Sequence, residues 1–112
     1  MEEAEELSEE TLIGAIERFA ARGYTGGFRA VEAGLRDVTS GRIYPPGQLR
    51  IDELARFEGE SDPDEQVAVY ALSSATGTKL GTYVVAFGPS IDRCDAHAVR
   101  GLGDARFPFA SA

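Results

Sequence analysis

Apolar residues recur every three to four positions between Leu12 and Ala20, then every second position in several runs from Phe28 onward, so the chain reads as a helix followed by a sheet. Leu12, Ile16, Phe19 and Ala20 form one helical stripe, with Ile13 beside it. Ser8, with Glu9 and Glu10 in the first turn, is expected to cap this helix, and Leu7 to staple onto Leu12. Arg22-Gly23 is expected to close it, with Gly23 as the left-handed cap.

Strand patterns follow. Phe28 to Ala33 and Leu35 to Val38 flank Gly34 and read as a hairpin or as one bulged strand. Tyr44-Pro45-Pro46-Gly47 cannot continue a ladder, because two prolines lack the donor, so a loop or a single helical turn is expected there. Leu49 to Glu58 is the next strand. Val67 to Leu72 and Leu80 to Phe87 are apolar on both alternating sets, the mark of covered central strands, and Ser74 to Gly77 joins them as an antiparallel hairpin. Gly88-Pro89 ends the last strand, and Ser90 is expected to cap a helix with a stripe of Ile91, Cys94, Ala98, Val99 and Leu102.

The order predicts an α+β fold, a two-layer sandwich with an N-terminal helix, four to five mostly antiparallel strands and a C-terminal helix. Residues 1–7 are expected to be a disordered acidic tail, 8–102 a single domain, and 103–112 a frayed end. Two short helices on one sheet face leave the other face to be covered. Either long side chains and the 39–48 loop cover it, or Tyr70, Tyr83 and Phe87 stay partly exposed as an interface and a homodimer or protein partner buries them.

Composition narrows the classes. At 112 residues the chain holds one core, and no run of apolar residues approaches a membrane span. A single cysteine cannot staple its own chain, which suits a reducing cytoplasm. The net charge is −8, of which six charges belong to glutamates in the first ten residues, leaving a nearly balanced body. No basic run provides a footprint for nucleic acid, so neither nucleic acid nor membrane is an expected partner.

The phosphate-loop, dinucleotide, zinc-protease and nucleophile-elbow motifs are all missing. Cys94 and His97 have a C-x-x-H spacing, which needs further ligands to make a metal site or an orienting group to make a reactive pair; a structural cysteine and a surface histidine are expected. Glu58, Glu60, Asp62, Asp64 and Glu65 crowd the entry to a loop, and Glu58, Glu60 and Asp62 are the candidate ligands of Mg²⁺, although turn-forming aspartates around Pro63 explain the composition without an ion. No other cofactor is expected. Alternation along Leu49 to Glu58 places Arg50, Asp52, Arg56 and Glu58 on one face as a candidate polar ligand site. Glu53, a further candidate for the ligand site, would point the other way, among Ile51, Ala55 and Phe57, so that either a bulge at Asp52-Glu53 turns it outward or it is paired for a reason.

Gly23-Tyr24-Thr25, Phe28, Ile51 to Leu54, Arg56-Phe57-Glu58-Gly59 with Asp62-Pro63, Val69 to Ser74 and Gly81-Thr82 together resemble a family of small uncharacterised bacterial proteins that often carry the label phosphoribosylpyrophosphate synthetase. The resemblance covers about residues 12–102 and implies a compact fold with a shared Arg/Glu/Asp surface. It brings no catalytic residues, because Thr25-Gly26-Gly27 follows a helix and lacks the adjacent acid pair of a phosphoribosyl-pyrophosphate loop. The leading expectation is a non-enzymatic, self-associating binding domain that uses the strand edge around Arg50 to Asp62. The alternative is a small enzyme or binding protein for a phosphorylated or other anionic metabolite, with Arg50 and Arg56 holding the anion and Mg²⁺ on the acidic loop.

Overall fold

The computed structural model describes residues 11–58, 66–88 and 91–103. Helix α1 spans Leu12–Ala21, and its cap is Thr11, whose hydroxyl accepts from the Gly14 amide at 2.9 Å. Thr11 therefore does the work expected of Ser8, which lies outside the described residues, as do residues 1–7 and 104–112. Strands β1 (Gly26–Val31), β2 (Gly34–Asp37) and β3 (Ile43–Tyr44) form an antiparallel meander, so the run around Gly34 is a hairpin. A 3-10 turn at Pro46–Gln48 leads into β4 (Leu49–Glu58), and β5 (Gln66–Ser74) and β6 (Lys79–Phe87) complete the sheet. Helix α2, Arg93–Leu102, closes the order. It is capped by Asp92 rather than by Ser90, which lies outside the described residues, and it ends on Gly103 at φ +85.

The six strands lie in the order β3-β2-β1-β6-β5-β4, antiparallel throughout except for β1 against β6. That exception was not visible in the alternation, because a parallel neighbour 55 positions away leaves no turn signal. The backbones of β1 and β6 come close at the pair Gly26 and Gly81. A Cβ on Gly81 would lie 2.4 Å from the Gly26 carbonyl, so this contact requires glycine.

The sheet cannot be flat. Flat strands at normal spacing would hold β3 and β4, at opposite edges, about 24 Å apart. The five steps from Tyr44 to Leu49 reach at most about 18 Å. The sheet is therefore curled, and α2 lies in its concave side, against the 3-10 turn, β1, β2 and β4.

The helices take opposite faces. Ala68, Tyr70 and Leu72 of β5 and Tyr83, Val85 and Phe87 of β6 pack with Ala98 and Val99 of α2, together with Phe28, Leu35 and Leu49. Val69 and Ala71 pack on the other side with Phe19 and Tyr24, flanked by Leu12, Ile16, Ala55 and Phe57. This corrects the two-layer expectation, and it explains why both alternating sets of β5 and β6 are apolar. Tyr70, Tyr83 and Phe87, expected as a partly exposed interface, are 0%, 1% and 5% exposed. Curling brings α2 over them, and the rings of Tyr70 and Tyr83 stack at 6.0 Å.

Two substitutions test this account by urea denaturation. Gly81→Ala is expected to cost about 2 kcal/mol or more, because the displaced neighbour is backbone rather than a flexible side chain. Thr11→Ala is expected to cost about 1 kcal/mol through the lost cap.

Candidate functional site

The sequence candidates converge on β4, where the ladder with β5 slips between Ile51 and Glu53. Asp52 is the extra residue of this bulge. The expected bulge is therefore present, but Glu53, opposite Ala71, keeps the side of Ala55 and Phe57, and it is Ile51 that the inserted residue moves to the other face. Before the bulge, Leu49 and Ile51 join the α2 core and Arg50 lies on the α1 side, opposite Ser73. After it, Ala55 and Phe57 join the α1 cluster, while Leu54 and Arg56 share the side of α2. Arg50 and Arg56 consequently stand on opposite faces, and the one-face ladder of Arg50, Asp52, Arg56 and Glu58 does not form. Arg56 donates to Gln66 at 2.6 Å. Glu58 pairs with Gln66 in the ladder, but its side chain, and all of Glu60 and Asp62, lie outside the described residues.

What the bulge assembles is a polar network at the end of α1. Tyr24 is held beneath the helix by an edge-to-face contact with Phe19 and donates its hydroxyl to Asp52 Oδ2 at 2.9 Å. Arg50 reaches the other carboxylate oxygen at 3.4 Å. Arg22, the C-cap of α1, pairs with Glu53 at 2.5 Å. Both partners are partly exposed, so this pair contributes at most about 1 kcal/mol. Lys79 donates to the Arg22 carbonyl at 2.9 Å and sits 5.4 Å from the centre of the Tyr24 ring. Gly23 permits that crossing, since its φ is +113 and a Cβ there would lie 2.9 Å from Lys79 Cδ.

The electrostatics follow from these contacts. Burial alone would raise the pKa of Asp52, but the hydroxyls of Tyr24 and Ser73 and the Arg50 guanidinium outweigh it and hold the carboxyl below its ordinary value. The Tyr24 phenol is pushed up, first by burial and then by its bond to Asp52, so it stays a donor. Ser73 Oγ is fully buried beside the carboxylate without a hydrogen bond of ordinary geometry. Arg22, Tyr24, Ser73 and Lys79 were not among the sequence candidates. Only the bulge, which brings Asp52 under Tyr24, connects them to β4.

The C-x-x-H pair sits elsewhere, on α2. Cys94 and His97 line a shallow recess with Glu32 and Arg93. The Cys94 thiol is pushed up, first by desolvation and then by Asp92, Glu32 and Asp95, which disfavours the thiolate a nucleophile or ligand needs. Among the described residues, no group of three or more His, Cys, Asp or Glu is placed to hold a metal ion. No helix among them is long and apolar enough to cross a membrane. Comparison with known protein families, curated proteins and solved structures finds no match.

The depressed Asp52 value carries a sign. A carboxyl whose folded pKa lies below its unfolded value adds stability above the unfolded pKa, and that increment is lost as pH falls through the folded one. Asp52→Asn is therefore expected to unfold at lower urea than the parent at pH 7. The gap begins to narrow below about pH 4, where the unfolded carboxyl takes up its proton, and closes only as pH falls through the lower folded pKa.

Proposed function

We propose that the chain is a small non-enzymatic interaction domain that acts in the cytoplasm and associates with a second copy of itself through the outer edge of β4. The observation that carries this reading is the place of β4 in the sheet. It is ten residues long and, among the described residues, pairs with β5 alone, so none of them places a strand along its other edge. Such an edge is a template for another strand.

Its side chains favour continuation of the sheet. Ile51 and Leu54 on the α2 side, and Ala55 and Phe57 on the α1 side, are each half-buried at the margin of a core cluster, so a neighbouring strand would extend both apolar layers. The first half of β4 is less suitable, because the bulge and the charges of Arg50, Asp52 and Glu53 break the regular edge. Contact would therefore centre on Leu54 to Phe57. Two of the segments that carry the family resemblance, Ile51 to Leu54 and Arg56 to Glu58, lie on this strand. The anionic-metabolite reading loses its two-arginine clamp, since Arg50 and Arg56 face opposite ways.

Light scattering on eluting fractions, combined with amide exchange, tests the reading. The average mass should rise toward a dimer with concentration, and β4 amides should gain protection as it does. Leu54→Lys should weaken association by about tenfold or more, by placing facing positive charges near the two-fold axis. A monomer at every concentration, or association unaffected by Leu54→Lys, would remove it.

A further inference from the structure

Helix α1 packs on β5 and β6, whereas the helix against β1 and β2 is α2, on the concave side. The convex side of β1, β2 and β3 is left open. Phe28, Ala30, Leu35 and Tyr44 belong to the α2 core, so their strand neighbours Arg29, Arg36 and Ile43 project to the convex side, where Arg29 pairs with Arg36 and Arg36 with Ile43. Val84 is opposite Val69, which packs beneath α1, and so shares that side. Val38 shares it too, since a Cβ on Gly27, the neighbour of Phe28, would touch its Cγ2 at 3.5 Å. Val38, Ile43 and Val84 are 58%, 45% and 38% exposed, and they are three of the four large apolar side chains exposed among the described residues.

The charges on this face are of one sign. Arg29 and Arg36 stand directly opposite each other, an unfavourable pairing, and among the described residues neither side chain forms an ion pair. The acids of the same hairpin are turned away. Asp37 shares the side of Phe28 and accepts from the Thr39 and Ser40 amides, and Glu32 lines the recess beside Cys94 and His97. Open apolar positions and two unanswered arginines thus occupy one surface, which suits a segment that is acidic and carries spaced apolar residues. Residues 1–10 are such a segment, with six glutamates and with Met1, Ala4 and Leu7 at every third position. They lead directly into α1, whose Leu12 packs in the cluster of Val69, the ladder partner of Val84. From β6 to β3 the face measures three strand spacings, about 14 Å, and ten extended residues reach up to about 33 Å.

We propose that residues 1–10 dock on this open face within the same molecule, their glutamates on Arg29 and Arg36 and their apolar residues on Val84, Ile43 and Val38. A carboxylate placed between the two arginines offsets their mutual repulsion, which no acid among the described residues does. Because the arginines are exposed, the contact is screened by salt. The surface is separate from the outer edge of β4, which lies at the opposite border of the sheet from β3.

The test is paramagnetic broadening in the whole chain, with a nitroxide on Ala4→Cys in a Cys94→Ser background and ¹⁵N-correlation spectra recorded before and after reduction of the label. The amides of Arg29, Arg36, Ile43 and Val84 are expected to lose at least half of their intensity, while those of Arg93 to His97, on the other side of the sheet, keep theirs. The loss should fade in about 1 M salt, where charges are screened within about 3 Å, and in a variant carrying Arg29→Gln with Arg36→Gln. Replacing the six glutamates by glutamine, without the label, should shift the same amides. Dispersed spectra verify that each variant folds. Three results would overturn the proposal: broadening confined to the residues that follow Thr11, broadening unchanged by both salt and the double substitution, or equal broadening when nitroxide and ¹⁵N are on different molecules.

Discussion

Much of this structure depends on the shortness of one connection. Tyr44 ends β3 at one border of the sheet and Leu49 begins β4 at the other, with a 3-10 turn of three residues between them. A chain of that length cannot cross six flat strands, so the sheet curls. The curl makes a trough, and α2 fills it, packing on the connection itself: a Cβ on Gly101 would lie 2.7 Å from the Pro46 ring. From this one constraint follow the burial of Tyr70, Tyr83 and Phe87 and the displacement of α1 to the convex side.

What could be read from the sequence divides along the same line. Local patterns were sufficient for α1, for β5 and β6, for the hairpin at Ser74 to Gly77 and for α2, because each depends on neighbours within a few residues. Gly23 at positive φ and the single helical turn after Tyr44 follow from glycine and proline chemistry. The parallel β1–β6 pair, the two-residue β3 and the separation of the helices onto opposite faces depend on contacts far apart in the chain. Nothing in the alternation of Phe28 to Val31 identifies its partner. The doubly apolar strands were a correct sign that both faces are covered, but they could not say by what.

The candidate site shows how much a single residue controls. Strict alternation puts Arg50, Asp52, Arg56 and Glu58 together. Inserting Asp52 as a bulge breaks that set, aligns Ala55 and Phe57 with α1, and sends Asp52 beneath Tyr24. The anomaly that signalled this was Glu53, a carboxylate falling in an apolar register. It pairs with Arg22 at the surface instead of being buried. The network around Asp52 ties the end of α1 to β4 and, through Lys79, to the start of β6.

The place of α2 in chain order has a consequence for how the molecule is made. The trough it fills is formed by strands that all precede it, and the largest side chains of the core, Tyr70 and Tyr83 among them, face that trough. On a ribosome, β1 to β6 emerge with one face bare until residues 93–102 have cleared the exit tunnel. During that interval the nascent sheet exposes an aromatic surface together with the open edge of β4, the combination from which aggregation begins. Because α2 follows all six strands in the chain and covers this face, protection of the sheet is a matter of timing as much as of stability.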